Sequence, residues 1–238
     1  MRCSIFIRSI GTLVVLLMAL GSQAATVTLF GDDVKFTFDD STAFGSANVI
    51  GNNIFFLPTT FLAESLNGAG AVTNNVTINV EVEATTIGYV MDSFQMAEEG
   101  DYKLNGAGAS VSANGQFRIT SLTKFCGAGI FAPVCKDDEI FDAGLLTVNT
   151  NLPVTWNASA IIDLADTAGW NTDSKVTMTI ENLLTATTLN TGVGETAFIQ
   201  KKFAGVGIIV NPVPVPGAVW LFGSAIGLLG WMRRRRAG

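Results

Sequence analysis

The chain has 238 residues, with 14 lysines and arginines, 20 aspartates and glutamates and no histidine, for a formal net charge of −6. Without histidine, Ser-His-Asp and Cys-His catalysis are excluded, and so are the usual histidine-ligated zinc sites. A carboxylate-pair hydrolase stays formally open, since that chemistry needs only two Asp or Glu.

At the N-terminus, Arg2 and Arg8 precede an apolar run from Ile10 to Leu20, and Ser22 and Ala24 place small residues where a signal peptidase reads. This layout predicts a secretory signal peptide over residues 1–24, carried through the secretory translocon and cut between Ala24 and Ala25. The alternative is a retained N-terminal helix. The apolar run is short for that, since a span takes about 20 residues.

The body, 25–210, alternates apolar and polar residues at period two. Val34–Phe38, Val76–Glu83, Phe117–Ile119, Val154–Ala158 and Val176–Glu181 each predict a strand with one buried and one wet face. Turn formers punctuate them: Gly31-Asp32-Asp33, Asp39-Asp40, Gly51-Asn52-Asn53, Asn67-Gly68, Asn105-Gly106, Asn114-Gly115 and Thr191-Gly192. Pro58 to Leu66 and Asp163 to Ala168 are each read as one or two helical turns. The fold expected is all-β: a single antiparallel β-sandwich or jelly-roll-like domain. Its inward residues are Val34, Phe36, Phe38, Val76, Ile78, Val80, Val82, Phe117, Ile119, Trp156, Val176, Met178 and Ile180.

Setting aside residues 1–24 and 217–238 leaves 192 residues, which hold all 20 acidic residues against 8 basic ones, a net of −12. Phosphate neutralisation needs lysine and arginine, so nucleic acid is not an expected partner. Cys126 and Cys135 remain after Cys3 leaves with the signal. In an oxidising compartment this close pair predicts a disulfide across a Gly- and Pro-rich loop, worth about 2–3 kcal/mol in the chain-entropy picture. Two free thiols are the alternative.

Several groups are weighed as sites. Lys136-Asp137-Asp138-Glu139 with Asp142 could hold calcium, but the spacing of a dedicated loop is missing, and a solvated acidic turn is the plainer reading. Asp32, Asp33, Asp39 and Asp40, and also Glu98, Glu99 and Asp101, are read the same way. Glu81 and Glu83 share a strand face at a spacing a glycosidase could use, yet any wet face gives this pattern. Trp156 alternates with polar neighbours and reads as core. Trp170, in a loop context, is the better candidate for stacking on a sugar. No catalytic, cofactor-binding or metal-binding residue is assigned, and the chain is read as a non-enzyme.

The C-terminus carries the sharpest signal. Asn211 to Pro216, with three prolines, reads as a stiff spacer, and 211–216 contains Val213-Pro214-Val215-Pro216. An apolar segment over 217–232 predicts a transmembrane helix, and 233–238 begins with Arg233, Arg234, Arg235 and Arg236, a basic stop-transfer cluster on the cytoplasmic side. Together, Val213-Pro214-Val215-Pro216 followed by Gly217-Ala218-Val219-Trp220-Leu221-Phe222-Gly223-Ser224 resembles the PEP-CTERM family of sorting tails, in its Val-Pro-x-Pro variant. The likeness covers about the last 26 of the 238 residues. It implies an exosortase-type membrane protease as partner and a Gram-negative host. It also implies an inner-membrane-anchored precursor, then delivery to the cell surface or extracellular matrix, with exopolysaccharide as an associated partner. Val215 stands where the family often has Glu or Leu, which bears on the protease subtype. The expected function is that of an exported structural or adhesive matrix protein. The alternatives are a carbohydrate-binding matrix module, with or without calcium, a secreted hydrolase using two facing carboxylates, for which no motif is present, and an ectodomain kept permanently on its anchor.

Overall fold

The computed structural model describes residues 25–212, apart from 41–42, 130, 151, 167–169, 171–172 and 192–193. The expectations placed on 1–24 and 213–238 (signal peptide, sorting motif, transmembrane helix and arginine cluster) lie outside the described residues. Among the described residues, no helix is long and apolar enough to cross a membrane.

Among the described residues, twelve strands run in chain order: β1 Thr26–Phe30, β2 Val34–Asp39, β3 Ser46–Ile50, β4 Asn53–Leu57, β5 Leu62–Leu66, β6 Gly70–Ala84, β7 Tyr89–Asn105, β8 Ser110–Phe125, β9 Val134–Asp142, β10 Val154–Asp163, β11 Lys175–Thr188 and β12 Thr196–Pro212. They form two antiparallel sheets. The first has the order β1-β2-β6-β11-β8-β9; the second has β10-β7-β12-β4-β3, with β5 also pairing β12. Inward residues of both sheets merge into one hydrophobic core, so the domain is a β-sandwich. All the inward residues expected from alternation are buried except Val76, which is half-buried against the core.

β12 is the spine of the second sheet. Its first half, Thr196–Gln200, pairs β5, and Ala204–Gly207 pairs β4. Between them the pairing with β7 shifts by one residue at Lys201/Phe203. A bulge of this kind inverts side-chain parity. Ala197, Ile199 and Lys201 point inward before it, and Ala204, Val206 and Ile208 after it.

Four local expectations are corrected. Leu62–Leu66 is a strand, not helical, because an isolated turn gains little while β12 offers it a full ladder of partners. By contrast, Leu164–Asp166 does form a 3-10 turn, with Asp163 Oδ1 accepting from the Ala165 amide at 2.9 Å. Asn114-Gly115 is not a turn but lies inside β8. There a Cβ on Gly115 would sit 2.0 Å from the Glu181 carbonyl oxygen and 2.6 Å from the Phe141 ring, so the glycine serves close packing. The acidic run Lys136–Glu139 is edge strand β9 rather than a turn; charges on an edge discourage further pairing. Finally, Asn211 and Pro212 belong to β12, opposite Val90 and Tyr89, so these two residues are strand rather than spacer.

Candidate functional site

The sequence-designated groups separate clearly once placed. Cys126 and Cys135 are joined in a disulfide with Cα atoms 4.8 Å apart. Cys135 is fully buried, and the bond closes the loop between β8 and β9 beside the Cys126 amide's hydrogen bond to Pro133 O.

Trp170 is not a sugar platform. It is fully buried, and its indole N–H donates to Asp173 Oδ2 at 2.9 Å. The loop context hid an anchor: Asp173 is itself buried, and it bridges to Met91 of β7.

Glu81 and Glu83 do share the outer face of β6, but both are held by lysines. Lys175 lies 2.8 Å from Glu81 and 3.3 Å from Glu83, and Lys35 lies 3.2 Å from Glu83. The hydrogen bond from Lys35, opposed by partial burial and helped by Lys175, holds Glu83 below its ordinary 4.5. A general acid needs the opposite displacement. The remaining groups scatter. Asp33 is bonded to Asn52 at the β1–β2 turn, Asp138 to Gln116 on the first sheet's outer face, and Asp101 to Lys202. Among the described residues, no group of three acidic or cysteine side chains could hold a metal ion.

Glu98 departs furthest from the solvated-face reading. It is 2% exposed and belongs to the inward row Phe94, Met96, Glu98, Gly100, Tyr102 and Leu104 of β7. Two further polar side chains meet it. Lys201, at the β12 bulge, is 1% exposed; Asn182, from the facing sheet, is 2% exposed. Lys201 Nζ lies 2.5 Å from Glu98 Oε1 and also donates to Asn182 Oδ1. Asn182 Nδ2 donates to the same Glu98 Oε1 at 2.9 Å. Glu98 Oε2 is buried with no hydrogen-bond partner among the described residues. The Phe44 and Phe61 rings face the ammonium, with centroids 5.2 and 5.4 Å from Nζ. Burial, partly offset by Glu98, pushes the Lys201 amine down to about 8.

This cluster was legible in principle. Asn182 continues the row Val176, Met178, Ile180, and Lys201 continues Ala197, Ile199. Each is a polar residue on an apolar parity, the signal that reading by charge runs passes over.

The second feature is a shallow trough on the outer face of the second sheet. Ala97, Gly205 and Gly207 form its floor, with Phe55 and Phe203 on one side and Gln95, Ser159 and Ile161 on the other. The Phe55 and Phe203 rings stack at 6.3 Å with planes 27° apart. Phe203 lies over Gly205, where a Cβ would meet its ring at 2.6 Å. Ile161 is 61% exposed, and among the described residues no charged side chain lines the trough. The first sheet's outer face is the contrary: lysines, glutamates and Arg118 cover it.

No protein-family model matches the chain. No curated protein matches it either. Among solved structures it is similar to that of infectious bursal disease virus Gt strain, with 11% identity and a TM-score of 0.35 over 85% of this chain and 36% of that one. It is also similar to the Gx strain structure, with 12% identity and a TM-score of 0.20 over 81% of this chain and 50% of that one. A third is the VP2 subviral particle of the same virus, with 12% identity and a TM-score of 0.19 over 96% of this chain and 54% of that one. This chain therefore spans between 36% and 54% of the length of those proteins. Likeness at this level says nothing of what the chain does.

Proposed function

We propose that this protein is an exported structural or adhesive component of a bacterial cell surface or extracellular matrix, sorted through its C-terminal tail by an exosortase-type protease. The observation that carries this reading is the order of features after the last strand. β12 ends at Pro212, and Val213-Pro214-Val215-Pro216, the apolar segment and Arg233 to Arg236 follow at once. In the sequence, the motif of the sorting signal follows directly on the last described strand. The Cys126–Cys135 disulfide fits an oxidising compartment. On this reading the tail holds the precursor in the inner membrane until it is processed. Truncation after Pro212 should then release the domain to the periplasm and abolish its surface delivery. Fractionation of cells carrying either form tests this, and unchanged surface delivery without the tail would remove the reading.

A second reading, carbohydrate binding, is favoured by the uncharged trough. Stacked Phe55 and Phe203 offer apolar ring faces, and Asn53, Gln95 and Ser159 offer hydrogen-bonding groups. The fit is to a neutral polysaccharide chain laid along the sheet. A second copy of the domain is a poorer occupant, since like acidic bodies repel. Phe203→Ala should weaken retention on neutral matrix polysaccharide, and equal retention of variant and parent would remove this reading.

A further inference from the structure

A primary amine, a carboxamide and a carboxylate meet in the centre of the sandwich, and nothing in the surface or sorting chemistry uses them. From this geometry we propose that Lys201 and Asn182 form an intramolecular amide bond, joining Lys201 Nζ to Asn182 Cγ with release of ammonia and with Glu98 relaying the proton.

Position is the first argument. Lys201 Nζ is in hydrogen-bond contact with Asn182 Oδ1, so the amine lies beside the carbonyl carbon one bond away. Glu98 Oε1 touches both nitrogens that must exchange, the attacking Nζ at 2.5 Å and the leaving Nδ2 at 2.9 Å. An acid-base group shared by nucleophile and leaving group is what an acyl transfer requires. The three residues sit on β7, β11 and β12, strands of two packed sheets, so their approach is fixed by the fold rather than by chance encounter.

Environment is the second. All three side chains are buried, and the Phe44 and Phe61 rings close the site over the amine. Water, the competing nucleophile, is kept out. Burial lowers the Lys201 amine to about 8, toward the neutral form that can attack. Glu98 Oε2, buried and without a partner among the described residues, is a free acceptor for the proton.

The step balances without any other reactant. Lys201 passes one proton from its ammonium to the Glu98 carboxylate. The neutral amine adds to Asn182 Cγ, and the resulting tetrahedral centre loses a proton from Nζ while its Nδ2 group is protonated through Glu98. The Cγ–Nδ2 bond breaks and ammonia departs. A neutral amide and a protonated Glu98 replace a buried ion pair, which removes two charges from a medium that solvates them poorly. The new bond would tie the two sheets to each other through the core.

The test is a peptide map of the full-length gene product as recovered from its native host, with the disulfide reduced. Trypsin has no site between Lys175 and Lys201, and the bond blocks cleavage at Lys201 itself. A second protease cutting after Glu195 opens the ring but leaves Asn182–Glu195 attached to the Lys201 peptide. We expect that joined species, lighter than its two parts by one ammonia, about 17 Da. Lys201→Arg should yield only separate peptides, and Glu98→Gln a smaller linked fraction. Separate Asn182 and Lys201 peptides at their sequence masses in the parent protein would overturn the proposal. So would an ammonia loss confined to the Asn182 peptide, the mark of cyclisation onto its own backbone. Because the parent protein decides both outcomes, a variant that fails to fold leaves the test intact.

Discussion

Asp173 illustrates how single polar residues organise this sandwich. Its carboxylate accepts from the Trp170 indole at 2.9 Å, from Thr123 Oγ1 at 2.6 Å and from the Lys175 amide at 3.1 Å. Its carbonyl also accepts from the Met91 amide at 2.8 Å. One residue thus links β7 and β8 to the start of β11, and buried Trp170 is the lid over it. Glu195 plays a similar part at the opposite end. It accepts from the Gly108 amide at 2.7 Å and from the Asn190 amide and side chain at 2.7 and 2.9 Å. Although its burial acts to raise the carboxyl, these bonds outweigh it and hold Glu195 below the ordinary 4.5. A depressed carboxylate contributes stability that is present above its unfolded value, near 4.5, and is lost as pH falls through the folded one. Glu195→Gln should therefore lower the melting temperature at neutral pH and flatten its decline on acidification below about pH 5. Thermal melts across pH 3 to 7, at about half-unit steps, check the sign. A variant whose acid decline runs parallel to the parent's would refute the assignment.

At the scale of elements, alternation carried most of the information. Each period-two run became part of a strand, and the predicted inward residues became core, because one wet and one dry face is the sheet's own requirement. What failed depended on contacts between distant segments. Leu62–Leu66 is a strand because β12 is there to pair with it, and Trp170 is buried because Asp173 receives it. Asn114-Gly115 looked like a turn, yet Gly115 is demanded by the Glu181 carbonyl and the Phe141 ring that crowd it. The bulge at Lys201 is equally non-local: it lets one strand serve β5 and β4 in succession. Gly115→Ala should force β8 away from β11 and cost at least about 2 kcal/mol, at the upper part of the overpacking range. Denaturant unfolding of the variant measures this, and a change under about 0.5 kcal/mol would contradict the close approach.

For the whole molecule, the two outer faces differ in chemistry. The first sheet turns salt-bridged polar residues outward, pairs that are partly exposed and contribute little to stability. The second sheet turns an uncharged trough outward, the surface proposed above for a neutral polymer. Between them lies a core stapled at one edge by the disulfide and, on our inference, at its centre by an amide bond. A domain braced in this way would suit the extracellular role proposed above. The proposed sorting tail rests on the sequence, since residues 213–238 lie outside the described structure. Its own order of proline motif, apolar segment and arginine cluster is the support for export.

The intact mass of the mature protein decides between export with tail processing and a permanent anchor. It should be taken from the native host and from a strain lacking the exosortase-type protease. In the native host the protein should have lost residues 1–24 and the segment beyond the Val213–Pro216 motif, and in the deletion strain the tail should remain. A tail present in both strains would contradict it and make this an ectodomain that works on a permanent anchor.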